Sequence, residues 1–283
     1  MSIARMRQNK FSIVTPNYNM GSYLAETIES VLRNLQEGDE YYIVDGGSTD
    51  NSVDIIRQYE TRLSGWVSES DKGYADALSK GFCQTQGEFQ CWLNSGDILL
   101  EGALDVARRK FQDASIDMIY GDDLYIDDHG KILQVSNGKV DRLNHMMLFG
   151  GWTPLQDACF WRRALYEKVG GVDPMQRYAA DYDLFLRMSL AGVAQYVPAI
   201  FSAFRQHEGQ TSQRFARAYR QEREVCRERE LSLAGVTLSG RFWKESRYWT
   251  LVRWRARFQA CNKKMQHLIG QDVRQVGCQT SCL

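Results

Sequence analysis

A polar loop with one acidic residue follows an apolar segment in the first hundred residues. Phe89 to Leu93 has the composition of a buried strand, and Asn94-Ser95-Gly96-Asp97 comes directly after it. Mg²⁺ and Mn²⁺ prefer oxygen ligands, and on a nucleotide diphosphate the phosphates supply several of them. Asp97 is therefore a candidate metal ligand. All four residue types also favour turns, so a simple turn is the alternative.

Two other polar loops follow predicted strands. Thr15 and Asn17 come before a helix, whose N-terminus suits a base or a phosphate. Asp45 ends the second strand and is followed by Gly46-Gly47. Its carboxylate can accept hydrogen bonds from a ribose hydroxyl or a base N–H, and the glycines let a ligand approach the backbone. Asp50, slightly later, occupies a position typical of a helix N-cap.

Charged residues surround the third predicted helix. Asp71 and Lys72 precede it, Asp76 lies in its first turn and Lys80 near its end. The two lysines could offset the charge of a diphosphate. Lys80 is also a cation near a helix C-terminus, where it is mildly favourable in any case. Asp76 is equally compatible with a solvated first-turn acid.

Two acidic residues open a helix in the second half of the chain. Asp181 is a candidate general base, and Asp183 would raise its pKa by like-charge repulsion. Asp181 is equally well placed as an N-cap, with Asp183 favoured by the helix dipole. Further along, His207 precedes Ser212 and is a candidate ligand of a metal or diphosphate. A lone surface histidine usually has no such role.

The scaffold for these groups is predicted by alternating patterns. Strands are expected at 11–15, 41–44, 66–67, 89–93 and 118–120, and helices at 21–35, 51–59, 74–83 and 101–111. Such alternation predicts an α/β fold with a mostly parallel central sheet and flanking helices. Ligands of these sheets bind at the carboxyl ends of the strands, where the three polar loops lie. Later residues predict a hairpin at 124–135, strands at 158–161, 196–197 and 200–204, and helices at 163–169 and 182–191.

The net charge of zero conceals an asymmetry. Residues 213–283 contain 15 basic and 6 acidic residues, a net +9, whereas residues 1–212 contain 20 and 29, a net −9. This helical, basic C-terminal tail also carries Trp243, Trp249 and Trp254 among its arginines. Cations mixed with tryptophans suit an anionic membrane surface. The alternative is a helical pair packed on the acidic body.

Composition excludes several classes of protein. No run of eighteen apolar residues occurs, so no spanning helix is expected. The basic start of the chain lacks the apolar segment of a secretory signal, and seven dispersed cysteines indicate reduced thiols, so we expect a cytoplasmic protein. The loop after the first strand lacks Gly-x-Gly-x-x-Gly, which argues against a dinucleotide-dependent oxidoreductase. An acidic body without a binding motif argues against nucleic acid as a partner.

In this order, the motifs resemble glycosyltransferase family 2. The resemblance runs from about Phe11 to Ser212 and rests on eight segments: TPNYN from Thr15, VDGGSTD from Val44, SESDKG from Ser68 with Asp76 and Lys80, LNSGD from Leu93, Gln156 before Phe160, GGVD from Gly170, Asp181-Tyr182-Asp183, and His207 with Ser212. It implies a GT-A fold at 1–212, with a nucleotide-sugar half at about 11–120 and an acceptor half at about 121–212. The tail at 213–283 lies outside the resemblance.

The resemblance also implies roles for the matching residues. The nucleotide would contact Thr15, Asn17, Asp45, Asp71, Lys72 and Asn94. Mg²⁺ or Mn²⁺ would be held by Asp97 with the help of His207. Asp181 would deprotonate the acceptor hydroxyl, and the donor sugar or acceptor would meet Asp76, Gln156 and Asp183. The chain departs from the family in having Gly96 where many members have Asp and Ala180 where many have Glu.

The implied function is the inverting transfer of a sugar from a nucleotide diphosphate donor to a hydroxyl of a glycan or lipid-linked acceptor. A UDP-sugar is the first candidate for the donor. Cell-surface polysaccharide synthesis is the expected setting, in the cytoplasm or peripherally on the inner face of the cell membrane. Gly96 and Ala180 leave one alternative open: a nucleotide-sugar-binding protein of the same fold with lost or weak transferase activity.

Overall fold

The first half of the molecule is a parallel sheet covered by helices. The computed structural model describes residues 9–140, 142–207, 214–235 and 265–278. Four parallel strands lie in the order β3-β2-β1-β4: β1 (Phe11–Asn17), β2 (Glu40–Asp45), β3 (Gly65–Ser68) and β4 (Phe89–Trp92). They are joined by helices α1 (Gly21–Leu32), α2 (Ser52–Tyr59) and α3 (Tyr74–Cys83). β1 is buried along its whole length, as expected for a strand covered on both faces.

The second half extends the same sheet with mixed strand directions. The order continues from β4 through β8, β6 and β9 to β5, and β7 pairs with β6. The strands are β5 (Ile98–Leu99), β6 (Met118–Ile126), β7 (Ile132–Ser136), β8 (Cys159–Arg162) and β9 (Ala194–Arg205). β6 and β9 are parallel, whereas β8 is antiparallel to both of its neighbours. The α/β fold with flanking helices is confirmed, as is the predicted hairpin, which turns between Asp127 and Lys131.

One predicted pair of strands is a single strand in the structure. Segments 196–197 and 200–204 belong to the continuous strand β9. Its register against β6 shifts between Tyr120 and Asp122, opposite the segment that contains Pro198. A proline donates no backbone hydrogen bond, so an irregularity of the ladder accommodates it without ending the strand.

Five further helices complete the described fold: α4 (Ala103–Lys110), α5 (Leu143–Gly150), α6 (Arg163–Lys168), α7 (Ala180–Ala191) and α8 (Ala216–Leu233). Between the sheet and α7 lies an aromatic core. The rings of Trp92 and Phe185 stack at 5.4 Å, and Trp161 meets Trp92 edge-on at 5.3 Å. α7 is buried on most of its sides because the sheet, α5 and α8 pack around it.

The described parts of the predicted tail pack on the body. α8 lies against α7. Met265, Leu268 and Val273 are buried with apolar residues of β5, β6, β7 and β9 in a second core cluster. The structure thus shows that these described parts of the tail pack on the body. Trp243, Trp249 and Trp254, on which the membrane hypothesis rests, lie outside the described residues. No helix in the described ranges is long and apolar enough to cross a membrane.

Candidate active site

Asp45 ties together the carboxyl ends of three neighbouring strands. Its carboxylate accepts hydrogen bonds from Asn17 Nδ2 at 2.6 Å, Ser68 Oγ at 2.7 Å and the Ser48 backbone N–H at 2.9 Å. Burial works to raise the pKa of Asp45, but these hydrogen bonds outweigh it and hold the pKa below its ordinary value. Asp45 and Asn17 therefore meet at the predicted sheet edge, where they stabilise each other and shape the loop.

Thr15 is placed differently from what the sequence suggested. It is fully buried in β1, and its hydroxyl lies 3.0 Å from the Tyr41 hydroxyl. Its side chain serves the contact between β1 and β2 and does not face a ligand surface. The Thr15 side chain therefore has a structural role. The expected contact between this side chain and the nucleotide is corrected accordingly.

Asp71 and the charged residues after it line one side of the same edge. The Asp71 carboxylate packs so closely on Gly46 that a Cβ there would lie 2.7 Å from its Oδ2. Burial raises the pKa of Asp71, and the nearby charges of Asp76 and Asp45 act in the same direction. Lys72 is exposed, and its backbone N–H donates to Asp76. Lys80 forms ion pairs with Glu69 at 2.7 Å and Asp76 at 3.3 Å.

The loop from Asn94 to Asp97 is a tight turn whose geometry explains Gly96. Gly96 has a φ of +107°, and its N–H donates to the Thr27 hydroxyl at 2.9 Å. This backbone conformation strongly favours glycine. The segment is therefore a turn and also carries polar side chains at the edge of the sheet. Asn94, the first residue of the turn, remains partly exposed, and the Asn94 side chain hydrogen-bonds to Asp97.

Asp97 is buried, and Asn94 is not its sole hydrogen-bond partner. Its Oδ1 accepts the backbone N–H of Arg205 at 3.0 Å, and its Oδ2 lies 3.5 Å from Gln156 Nε2. The structure thus brings Asp97 and Gln156 together, as the predicted roles require. Burial, followed by the neighbouring charge of Asp157, raises the pKa of Asp97 well above its usual value.

Two buried carboxylates beside Asp97 were missed from the sequence. Neither Asp157 oxygen has a hydrogen-bond partner, and Asp123 has one free oxygen, the other accepting from Ser202 at 3.0 Å. Burial raises the pKa of Asp157 to about 6. Asp157 directly follows Gln156, and Asp123 lies between the strand predicted at 118–120 and the hairpin predicted at 124–135, where Asp122-Asp123 are two adjacent acids.

The oxygen atoms of these side chains decide whether they can bind a divalent cation. Among the described residues, no group of three or more His, Cys, Asp or Glu side chains is placed to hold a metal ion by itself. A cation carried on a diphosphate needs fewer protein ligands. The Asp97 carboxylate and the unpaired oxygens of Asp157 supply the hard oxygen donors that such a cation accepts. His207 lies just past β9, its ring 5.7 Å from the Tyr23 ring.

Asp181 lies in the first turn of α7. Part of the residue is exposed, but its Oδ1 atom is buried and has no hydrogen-bond partner. Its Oδ2 accepts from the Tyr219 hydroxyl at 3.4 Å. Burial raises the pKa of Asp181 to about 6. A carboxylate with this pKa is ionised at neutral pH and can take up a proton, as a general base must.

Asp183 does not perform the predicted role. It is fully buried, accepts from Arg187 Nε at 3.0 Å and from Arg229 Nη2 at 2.6 Å. With both oxygens occupied, it anchors α7 and does not face a donor sugar or an acceptor. The expectation that Asp183 raises the pKa of Asp181 is wrong as well, because burial is the main cause.

The N-cap of α7 also differs from expectation. Ala179 occupies the cap position and Asp181 lies inside the helix. Glu222 of α8 accepts the backbone N–H groups of Tyr178 at 2.7 Å and Ala179 at 2.9 Å. The sequence could not indicate Tyr219 and Glu222 as site residues, because they lie in a segment outside the family resemblance.

Comparison with known proteins identifies the family. Residues 12–170, more than half of the chain, match the family described as Glycosyl transferase family 2. The chain belongs to glycosyltransferase family 2. The resemblance inferred from the eight sequence segments is thereby confirmed.

Curated relatives bear similar names. An uncharacterised glycosyltransferase of Nostoc sp. is 30% identical over 179 residues, which are 59% of this chain and 55% of the relative. The chain thus spans little more than half of that relative's length. A PGL/p-HBAD biosynthesis glycosyltransferase of Mycobacterium tuberculosis is 27% identical over 212 residues, 70% of this family 2 chain and 78% of the relative.

Solved structures support the GT-A fold of this family 2 member. TarS 1–349 of S. aureus, in complex with UDP-GlcNAc, has a TM-score of 0.57 at 18% identity, covering 71% of this chain and 60% of the TarS 1–349 chain. A mannosyltransferase of Pyrobaculum calidifontis, in complex with GDP-Man and Mn²⁺, has a TM-score of 0.60 at 15% identity, covering 87% and 73%. At such identities the likeness concerns the fold alone.

Proposed function

We propose that this chain is an inverting glycosyltransferase that moves a sugar from a nucleoside diphosphate donor to an acceptor hydroxyl. The observation that carries the proposal is Asp181: a carboxylate with a raised pKa and one buried, unpaired oxygen at the start of a helix. A group of this kind has little structural purpose, because an unpaired buried oxygen destabilises the fold. It suits a residue that receives a proton during each turnover.

The donor end of the site is the polar edge formed by the loops after β1, β2 and β4. Asp71 beside Gly46, the exposed Lys72 and the partly exposed Asn94 can receive a nucleoside and its phosphates. UDP-sugars are the first candidates, supported by the fold shared with a protein crystallised with UDP-GlcNAc. GDP-sugars are the second candidates, because the chain also shares its fold with a mannosyltransferase solved in complex with GDP-Man.

A divalent cation would be held by Asp97, with Asp157 beside it; His207, two residues beyond Arg205, is a further candidate ligand. Bound there with the donor, Mg²⁺ or Mn²⁺ supplies positive charge that stabilises the leaving diphosphate. The Gln156 amide, 3.5 Å from Asp97, orients that carboxylate. No role in catalysis is assigned to Asp183, which is committed to its two arginines.

The proposed step is a single displacement at the anomeric carbon of the donor. The acceptor oxygen forms the new glycosidic bond while the bond to the diphosphate oxygen breaks. The proton of the acceptor hydroxyl passes to Asp181 Oδ1, and the bonding electrons leave with the nucleoside diphosphate. Attack from the side opposite the leaving group inverts the anomeric configuration. The acceptor, as a working proposal, is a glycan or a lipid-linked saccharide.

A two-part experiment tests this function. UDP-glucose, UDP-galactose, UDP-GlcNAc and GDP-mannose are each screened with Mn²⁺ by thermal shift, since a bound donor stabilises the folded state by mass action. The donor that binds is then used to measure nucleotide release for the wild type and for Asp181→Asn. We expect the variant to bind the donor but to lose at least about a hundredfold in rate.

The matched control is Asp54→Asn, a neutralised carboxylate whose side chain is 75% exposed. It is expected to release nucleotide at the wild-type rate. Near-normal release by Asp181→Asn contradicts the assignment of the base. Failure of all four donors to shift the melting temperature contradicts the donor class, and donor binding without any release favours a nucleotide-sugar-binding protein.

A further inference from the structure

Helix α8, outside the segments that resemble the family, reaches the candidate base directly. The Tyr219 hydroxyl donates to Asp181 Oδ2 at 3.4 Å. One turn further along α8, the Arg223 guanidinium lies 5.3 Å from the centre of the Tyr182 ring and 5.9 Å from that of Tyr219. Arg223 thus lies against two aromatic residues next to Asp181: Tyr182, which follows it in the chain, and Tyr219, its hydrogen-bond partner.

The same helix fixes the start of α7. Glu222 accepts the backbone N–H groups of Tyr178 and Ala179, which precede Asp181. The N-cap residue of α7, Ala179, has no side chain capable of this role. Because the first N–H groups of a helix lack partners within it, an acceptor from another element holds this terminus in place. α8 therefore controls both the backbone and the side chain of the base.

Three groups of α8 act on Asp181 in different ways. Glu222 fixes the helix on which it is carried, Tyr219 holds one carboxylate oxygen, and Arg223 places a positive charge nearby. Only Oδ1 is left without a partner. An oriented carboxylate with a single free oxygen is what directed proton transfer from an acceptor hydroxyl requires.

We propose that Tyr219 and Arg223 are positioning residues for the general base, holding the Asp181 carboxylate so that Oδ1 faces the acceptor hydroxyl. The proposal rests on the proposed function, in which Asp181 takes the acceptor proton. It places part of the active site in a segment that the sequence assigns to a separate tail.

Electrostatics agree with this arrangement. Burial is the main cause of the raised pKa of Asp181, while the hydrogen bond from Tyr219 and the charge of Arg223 both lower it. The titratable and charged groups around Asp181 come from three other elements: Tyr74 of α3, Cys159 of β8, and Tyr219, Glu222 and Arg223 of α8. Removing either the Tyr219 hydroxyl or the Arg223 charge should thus raise the pKa further.

The test measures this pKa without relying on turnover. The full chain is labelled with ¹³C at the aspartate carboxyl carbons and titrated by NMR, and Asp181→Asn identifies the Asp181 signal. We expect the Asp181 carboxyl to titrate near 6 in the wild type. Tyr219→Phe and Arg223→Gln should each raise that pKa by about half a pH unit, as loss of one modest interaction predicts.

Two further variants separate positioning from general loosening of the fold. Arg223→Lys keeps the charge and should stay near the wild-type pKa. Arg220→Gln removes an exposed charge from the same helix and should have no effect. Where the wild type shows transfer or donor hydrolysis, Tyr219→Phe should lower kcat about tenfold with donor KM unchanged.

The outcomes are distinct. If Tyr219→Phe and Arg223→Gln both leave the pKa of Asp181 unchanged, the positioning role is overturned, whatever the activity of the enzyme. If the pKa shifts as expected but Asp181→Asn retains turnover, the positioning stands as a structural fact and the assignment of Asp181 as the base fails. A downward shift in Tyr219→Phe would mean that water replaces the hydroxyl, and it too contradicts the proposal.

Discussion

The backbone N–H of Gly96 donates to the Thr27 hydroxyl at 2.9 Å while Gly96 itself adopts a φ of +107°. This pair accounts for the departure from the family at position 96. Glycine is required by the turn, so introducing the aspartate that many relatives carry is expected to destabilise the fold. Gly96→Asp should lower the free energy of unfolding by about 1–3 kcal/mol without raising the rate of transfer. Urea denaturation measures the first quantity and nucleotide release the second.

Gly96→Ala is the matched variant, because it introduces the same backbone strain without a carboxylate. Equal destabilisation of the two variants would show that conformation decides the residue here. If the Gly96→Asp variant is stable and turns over faster than the wild type, the result would instead show that the wild type lacks a useful carboxylate at this position.

The pH dependence of turnover should follow Asp181. Its pKa of about 6 means that the carboxylate is protonated, and unable to accept a proton, at lower pH. We expect kcat to rise about twofold between that value and neutrality and to fall about tenfold per pH unit well below it. Stopped assays of nucleotide release across this range, with donor saturating, provide the measurement. A rate that stays constant down to pH 5 would exclude Asp181 as the titrating base.

Asp183 should behave as a structural residue. It is buried between Arg187 and Arg229, so Asp183→Asn would leave two guanidinium groups facing an uncharged side chain. We expect a loss of about 3–5 kcal/mol in the free energy of unfolding, as for other broken buried pairs. The folded fraction should bind the donor normally. Preserved stability with a raised KM for donor or acceptor would revive the original assignment to a substrate contact.

Asp122 provides a test of stability against pH. It accepts from Gly138 N at 2.9 Å and Tyr196 Oη at 2.8 Å, yet burial raises its pKa from 3.8 to about 6. Between these values the folded protein binds more protons than the unfolded chain, so the contribution of Asp122 to stability falls as pH rises. At neutral pH it opposes folding by at most about 3 kcal/mol.

Asp122→Asn removes this titration while retaining an oxygen that accepts both hydrogen bonds. The variant should gain stability relative to the wild type as pH rises from about 4 to about 7. Denaturation midpoints at several pH values measure the difference. A difference that does not change with pH would show that Asp122 keeps its ordinary pKa.

Most of the first half of the fold could be predicted because its signals are local. A buried parallel strand such as β1 is a continuous apolar run, and each following helix has its own periodicity. The bounds of α3 agree with expectation at both ends. The single strand β9 was missed because Pro198 looks like a break in sequence, whereas the shifted register against β6 absorbs it.

Prediction was less complete for the candidate site. The order of motifs along the chain predicts Asp97, Gln156 and Asp181 as site residues, and the structure brings Asp97 and Gln156 together. The burial of Thr15 against Tyr41 and the pairing of Asp183 with two arginines could not be predicted, since each depends on a partner distant in sequence. Asp157 was overlooked because its significance comes from the neighbouring Asp97, not from its own surroundings in the chain.

The sequence by itself determined the family, the parallel half of the sheet and the edge at which polar loops gather, because these follow from local patterns and the order of motifs. Only the tertiary structure decided which carboxylates remain available for chemistry. Burial and long-range donors fix that choice: Arg187 and Arg229 occupy Asp183, whereas Asp181 keeps one free oxygen. It also decided that α8, although distant in sequence, lies against the base, because α8 packs on α7 and its Cys226 is part of the hydrophobic core.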